Sequence, residues 1–267
     1  MARRRLDAEL VRRGLAPSRH QAQVDIAAGR VTVSGASADK PARSVAAGEP
    51  IRVLGPPPRF VGRGGEKLDA ALERFDVVVV GRRAYDLGSS TGGFTDCLLQ
   101  RRARSVVAVD VGYGQLHERL RGDPRVEVHE RLNVRDIAPG DLGAPADVLV
   151  ADLSFISLRT VAEALFAVAA PGADVVALVK PQFEAGREAA SKGRGVIREP
   201  SVRAETLVAV GDRWTALGAT IMGAMVSPLR GADGNVELLL HALAPGHGRA
   251  DLRAVDLDVV GRSEPPP

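Results

Sequence analysis

Two lysines and two carboxylates carry the chemical signal of this sequence. Asp152 follows the apolar run Val148-Leu149-Val150-Ala151, and Lys180 follows Val175-Val176-Ala177-Leu178-Val179. Short apolar runs of this kind read as buried strands, so both side chains stand at strand ends. A carboxylate and an amine at adjacent strand ends can pair, hold a reacting hydroxyl and stabilise charge that develops on it. Lys67, in Gly62-Arg63-Gly64-Gly65-Glu66-Lys67-Leu68, opens an expected helix just before the strands begin, and Glu237, in Gly234-Asn235-Val236-Glu237, lies in the last strand region. Of 36 Lys and Arg residues, only Lys40, Lys67, Lys180 and Lys192 are lysine. Arginine can replace lysine on an exposed face but not where the amine itself moves or donates a proton. That scarcity raises Lys67 and Lys180 above the surface salt bridge that remains an equal reading for Asp152 and Glu237.

A second constellation could hold a cofactor. The segment Asp86-Leu87-Gly88-Ser89-Ser90-Thr91-Gly92-Gly93-Phe94 lies between an expected strand and an expected helix. Glycines there let the backbone turn sharply and approach a ligand, at the carboxyl end of a strand where open α/β sheets bind ligands. Gly88 and Gly92 are four residues apart, which is not the dinucleotide spacing, and no GK[ST] follows, which excludes a Walker loop. The next strand ends in Asp110, placed to accept from ribose hydroxyls. Together they point to S-adenosylmethionine, against the alternative of a plain β–α turn.

These residues need a scaffold, and the periodicity supplies one. Strands are expected at Tyr85–Leu87, Val106–Val109, Val126–Val128, Val148–Ala151 and Val175–Val179, with helices over Gly93–Arg101, Leu158–Ala169 and Val202–Leu217. Ile221–Val226 and Val236–Leu240 suggest a final strand pair. Alternating β and α elements argue for an α/β, doubly wound parallel sheet. Upstream, Leu6, Leu10 and Val11 mark a helix ended by Gly14. Ser18 and Gln21 form a capping box for a second helix carrying Ala22, Ile26 and Ala27. Val31–Val33 and Ile51–Val53 read as strands of a small α+β module. The expected division is a module over 1–55, a Pro-rich linker over 56–64, the α/β domain over 65–245, and a disordered tail over 246–267.

The composition, 45% apolar and 26% charged, is that of a globular protein. No apolar run suits a membrane span or a secretory signal. The single cysteine, Cys97, allows no internal disulfide, and with no CxxC or HExxH pattern no metal is expected. A cytoplasmic location is the default. The net charge of +3 conceals a basic first sixty residues, with 11 Lys+Arg against 5 Asp+Glu, on a mildly acidic remainder. Such a segment suits a polyanion. Arg5, Arg19, Arg30 and Lys40 are the candidates for phosphate contacts, weighed against simple solvation. Phe155 and Phe183 flank the expected site, where an aromatic face could stack on a flipped base; core packing is the other reading for at least one of them.

The motifs DLGSSTGGFTD, AVDVGYGQL, ADLSFISL, LVKPQFE and GNVE, with RGGEKL upstream, closely resemble the TlyA family of rRNA cytidine 2′-O-methyltransferases, which also carries the older name hemolysin. The first segment, from Arg5 through Gly35 with Lys40-Pro41 and Gly48, resembles the RNA-binding domain first seen in the fourth small-subunit ribosomal protein. The resemblance spans residues 3 to 243. It implies a Rossmann-like class I methyltransferase sheet behind a small RNA-binding domain. It also implies a Lys-Asp-Lys-Glu tetrad as in FtsJ-like enzymes, matched by Lys67, Asp152, Lys180 and Glu237. The cofactor positions it implies are Asp86, Gly88, Ser89, Ser90, Thr91, Gly92, Gly93, Phe94 and Asp110, with Asn133 beside the adenine. Gly65-Glu66 stands where many relatives have Ala-His. The expected partner is ribosomal RNA within ribosomal subunits, with no membrane and no obligate protein partner. The rival readings are an RNA-binding or ribosome-assembly factor without catalysis, a membrane-active hemolysin, and a nicotinamide-dependent oxidoreductase.

Overall fold

The structure, a computed structural model, describes residues 3–16, 19–55, 58–186, 195–231, 233–246 and 255–265. It divides into two compact units, 1–62 and 63–267. The division falls inside the segment read from sequence as a linker. Ser18 of the expected capping box, and Pro56 and Pro57, lie outside the described residues.

In the first unit, strand β1 (Arg3–Arg5) leads into helix α1 (Leu6–Arg12), and α2 (Arg19–Ala27) follows. Strands β2 (Val31–Val33), β3 (Ala36–Ser37), β4 (Ser44–Ala46) and β5 (Ile51–Val53) complete it. Leu6 and Leu10 lie one helical turn apart and are fully buried with Ile26, Val31, Val33 and Val45. Thr32 between the two valines is more exposed, the alternation expected of a strand covered on one face. Beyond the single small sheet that periodicity suggested, two form. β1 pairs antiparallel with β4, and β2 lies between β3 and β5.

The second unit opens with α3 (Gly64–Arg74) and continues β6 (Arg83–Leu87), α4 (Gly93–Gln100), β7 (Ser105–Asp110), α5 (Glu118–Arg121), β8 (Val126–Glu130) and β9 (Ala146–Ala151). Then come α6 (Leu158–Ala167), β10 (Ala169–Val179), α7 (Pro181–Glu184), α8 (Pro200–Ala216), β11 (Thr220–Val226), β12 (Leu238–Leu243) and α9 (Leu257–Arg262). The seven strands lie in the order β11-β12-β10-β9-β6-β7-β8. β6 through β10 are parallel, whereas β12 runs antiparallel to both β10 and β11. The sheet is therefore mixed, a correction to the parallel expectation. Only about eleven residues separate β11 from β12, enough for a hairpin-like return but not for a parallel crossover. The strand interiors are dry: Val148–Ala151 and Val175, Val176, Ala177 and Val179 are fully buried.

The tail expected to be disordered contains α9, which corrects that expectation for 255–265. Gly261 packs so closely on α8 that a β-carbon would stand 2.3 Å from the Ala204 Cα, and Leu257 fills the space over Gly211. Gly261 lets the two backbones touch at Ala204, and Gly211 makes room for the Leu257 side chain.

Candidate active site

Strand order reverses at β6, whose neighbours β7 and β9 continue to opposite sides. Beyond the carboxyl ends of these strands lies a cavity of about 470 Å³, within the range of small-molecule sites. Its walls include Gly88, Ser90, Asp110 and Asn133 from the expected cofactor set, and Asp152 from the expected catalytic set.

The glycine loop is built around one close approach. Leu87 pairs with Ala151 across β6 and β9, and the Asp152 N–H donates to the Leu87 carbonyl at 3.0 Å. A β-carbon on Gly88, which has φ of +88°, would stand 2.5 Å from the Asp152 carbonyl oxygen. Gly88 and Ser89 N–H groups both donate to the Val109 carbonyl at 2.8 and 3.0 Å. The Asp110 carboxylate accepts from the Ser90 N–H and the Gly112 N–H, each at 2.7 Å. It therefore shapes the loop as well as facing the cavity. Each carboxylate oxygen keeps a second lone pair for ribose hydroxyls. The Asn133 side-chain oxygen accepts from the Arg135 N–H at 3.1 Å, which fixes its amide at the cavity wall. An acidic strand end, a glycine that admits no side chain and a polar amide around one cavity fit a nucleoside-bearing cofactor.

The other expected cofactor residues do not line the cavity. Asp86 is fully buried beneath the loop, where it accepts from the Thr95 hydroxyl at 2.6 Å. Burial pushes its carboxyl up to about 7, against the Thr95 hydrogen bond and with a further push from the negative charge of Asp152. Phe94 is buried against Gly64 at the start of α3. Ser89 is buried too, and Thr91 faces solvent while its carbonyl accepts from the His117 N–H at 3.2 Å. Gly92 and Gly93 carry the turn into α4; a β-carbon on Gly92 would strike Leu120 and Leu116. These positions build the loop from behind.

The four expected catalytic residues collect at one edge of the sheet as two ion pairs. Val179 pairs with Leu238 in the β10–β12 ladder, so Lys180 leaves β10 beside Glu237 entering β12. Asp152 leaves β9 on the other side of β10. The Lys180 Nζ lies 2.7 Å from Asp152 Oδ1 and donates to Ser154 Oγ at 2.9 Å. Lys67, on the first turn of α3, pairs with Glu237, and both are almost fully buried. Gly64, one turn before Lys67, brings α3 to the first pair: a β-carbon there would lie 3.8 Å from Asp152 Oδ2.

Sequence reasoning missed several supporting residues. Ser154 was not singled out, although it stands two residues after Asp152. Gln115 lines the cavity and its side-chain oxygen accepts from the Ser90 hydroxyl at 3.3 Å. Glu184, buried at the end of α7, accepts from the Leu158 N–H at 2.6 Å and the Ser157 hydroxyl at 2.5 Å. It thereby caps α6 from outside and ties the segment after Lys180 to the segment after Asp152. Phe155 stands at the cavity wall, 90% exposed and at φ of +64°, with its ring centroid 5.1 Å from that of Phe183.

Among the expected phosphate contacts, Arg5 and Arg19 both pair with Asp7, at 2.9 and 3.0 Å. Asp7 is buried at the start of α1, and the Arg5 hydrogen bond, aided by Gln23 and Arg19, holds its carboxyl well below the usual range despite burial. Arg30 pairs with Asp25, and Lys40 is exposed. An arginine has five donors, so each of the three keeps donors beyond its pair.

The chain matches the FtsJ-like methyltransferase family over residues 60–243 and the S4 domain family over residues 4–51. It is 52% identical over 242 residues to the 16S/23S rRNA (cytidine-2′-O)-methyltransferase TlyA of Mycobacterium tuberculosis, covering 90% of each chain. It is 47% identical over 247 residues to YqxC of Bacillus subtilis, which carries an rRNA methyltransferase designation, covering 92% of this chain and 87% of that one. A solved structure of a hemolysin-designated protein from Streptococcus thermophilus superposes with a TM-score of 0.77 at 38% identity, covering 98% of this chain and 95% of the other.

Proposed function

The chain belongs to the FtsJ-like methyltransferase family, in its TlyA branch, and from that premise we propose that it methylates the 2′-hydroxyl of a cytidine ribose in ribosomal RNA. The observation that carries this reading is the Lys180–Asp152–Ser154 cluster beside the cavity of Gly88, Asp110 and Asn133. Bound S-adenosylmethionine supplies an electrophilic methyl group on a sulfonium centre. Gly88, Ser90, Asp110 and Asn133 are the residues that would hold it.

A ribose hydroxyl is a poor nucleophile, so alignment and charge stabilisation supply the rate. An ammonium has three N–H donors. Ser154 accepts one at Lys180, and Asp152 Oδ1 lies 2.7 Å away as an ion pair without accepting a hydrogen bond, so donors remain for the 2′-oxygen. Lys180 thus stabilises the negative charge that grows on that oxygen, and Asp152 is the carboxylate within reach of its departing proton. The buried Lys67–Glu237 pair ties the start of α3 to the start of β12 at the same edge. Phe155 offers a free aromatic face to the target base. Arg5, Arg19, Arg30 and Lys40 would meet phosphates and position the RNA without reading its sequence.

An rRNA substrate would fit a cytoplasmic location. Among the described residues no helix is long and apolar enough to cross a membrane. The test is digestion of treated ribosomal subunits to nucleosides. Recovery of 2′-O-methylcytidine supports the reading; a methyl group on a base would overturn it.

A further inference from the structure

A second cavity, of about 350 Å³, is lined by the loop that precedes Glu237, by residues 196–198, by Arg203 and by Glu264. Its charged residues are Arg198, Arg203 and Arg230, together with Asp233 and Glu264. Arg203, on α8, is 2% exposed, a charge that costs several kcal/mol to bury without an anion. That anion comes from the chain end. Arg203 donates to Glu264 Oε1 at 2.7 Å, while Arg230 donates to Glu264 Oε2 at 3.2 Å. One carboxylate thus bridges two arginines, the fork that a phosphodiester fits equally well.

Two features separate this contact from a plain anchor. Glu264 lies in an extended segment beyond α9, and its side chain remains 58% exposed, so its carboxylate is the solvent-accessible side-chain group that Arg203 engages. Arg203 also donates to the Gly261, Arg262 and Ser263 carbonyls at 3.4, 3.5 and 3.2 Å, and the close helix crossing at Gly261 and Gly211 holds the tail independently of Glu264. The cavity is also fastened to the catalytic edge. The Arg230 carbonyl accepts from Arg63 at 2.7 Å, just before α3. Gly231 packs on the Glu237 carboxylate so tightly that a β-carbon would lie 2.6 Å from Oε1. Asn235, two residues before Glu237, accepts from the Ile197 N–H at 2.9 Å and donates to the Gly195 carbonyl at 2.8 Å.

We propose that Arg203 and Arg230, with Arg198 beside them, form a phosphodiester-binding site for the RNA strand that enters the active site, and that Glu264 occupies it in the RNA-free protein. The inference rests on the functional reading above for its ligand. A carboxylate plug keeps the buried Arg203 charge satisfied until a phosphate replaces it. It also sets a threshold against weak anions, which the exposed Asp233 on the rim reinforces.

The test uses the full chain and unmethylated ribosomal subunits in filter binding across a salt series, with Glu264→Gln, Arg230→Ala and the double variant. Arg230→Ala leaves the Arg203–Glu264 pair intact, so it keeps the experiment readable if the glutamine variant folds poorly. Expected are about tenfold weaker binding for Arg230→Ala, with a salt slope smaller by about one. Tighter binding is expected for Glu264→Gln, with that gain lost in the Arg230→Ala background. Unchanged affinity and slope in Arg230→Ala, or a lower melting temperature alone in Glu264→Gln, would make Glu264 a tail anchor only and overturn the proposal. Methyl transfer by the wild type is measured in parallel. Its absence sinks the functional reading, whereas transfer with wild-type binding in every variant sinks this inference alone.

Discussion

Gly88 and Asp152 approach so closely that a β-carbon on the glycine would stand 2.5 Å from the aspartate's carbonyl oxygen. This contact joins the cofactor loop to the catalytic strand end. Gly88→Ala must either displace β9 from β6 or distort the loop, and its φ of +88° adds strain of about 1–3 kcal/mol. The expected result is a lower melting temperature and cofactor binding too weak for calorimetry under conditions where the wild type binds. Wild-type cofactor affinity in this variant would mean that the loop is not held as described.

Lys67 and Glu237 are a buried pair, and the two ways of removing it should differ. Either single change, Lys67→Met or Glu237→Leu, leaves a buried charge alone and costs about 3–5 kcal/mol. The double change restores most of that stability because neither charge remains, yet methyl transfer stays lost. Urea unfolding of the four proteins measures the cycle. Equal stability of single and double variants would contradict the pairing.

Much of this site was legible in the sequence, and the reasons are local. Val148–Ala151 and Val175–Val179 are apolar runs too short for helices, so the strand ends that carry Asp152 and Lys180 could be placed from periodicity. The pairing of Asp152 with Lys180 followed from adjacent strand ends, but the partner of Lys67 could not be read. Lys67 and Glu237 are 170 positions apart, and only the antiparallel insertion of β12 beside β10 brings them together. Glu184 capping α6 is likewise a tertiary contact with no sequence signature. The tail helix was missed because its apolar residues, Leu257, Val259 and Val260, are few. What fixes it is the absence of side chains at Gly211 and Gly261, which in isolation reads as a helix breaker.

Asp86 gives a pH signature. Its folded value, raised to about 7, lies above the ordinary aspartate value of about 3.9. A group raised on folding contributes stability that is fully present below its unfolded pKa and is lost as pH rises through the folded one. From about pH 4 to about pH 7 the wild type should therefore lose stability relative to Asp86→Asn, which does not titrate. Melting temperatures of both proteins measured across that range should diverge in favour of the variant. A constant difference would place the ionisation elsewhere.

Phe155 is 90% exposed, so Phe155→Ala should leave the melting temperature unchanged. Stacking on a base is worth about 1–3 kcal/mol, and the loss should appear in methyl transfer to RNA while cofactor affinity holds. A large fall in melting temperature with normal transfer would assign the ring to packing against Phe183.

The most direct test of the whole account is methyl transfer from labelled S-adenosylmethionine to unmethylated ribosomal subunits, wild type beside Lys180→Ala, with the labelled atom mapped. Label is expected on a ribose 2′-oxygen with the wild type, with a loss of at least about 100-fold in the variant. Cofactor affinity should be unchanged, because Lys180 does not line the cavity of Gly88, Asp110 and Asn133. Undiminished transfer by Lys180→Ala, or loss of cofactor binding in place of turnover, would contradict the role assigned to this residue.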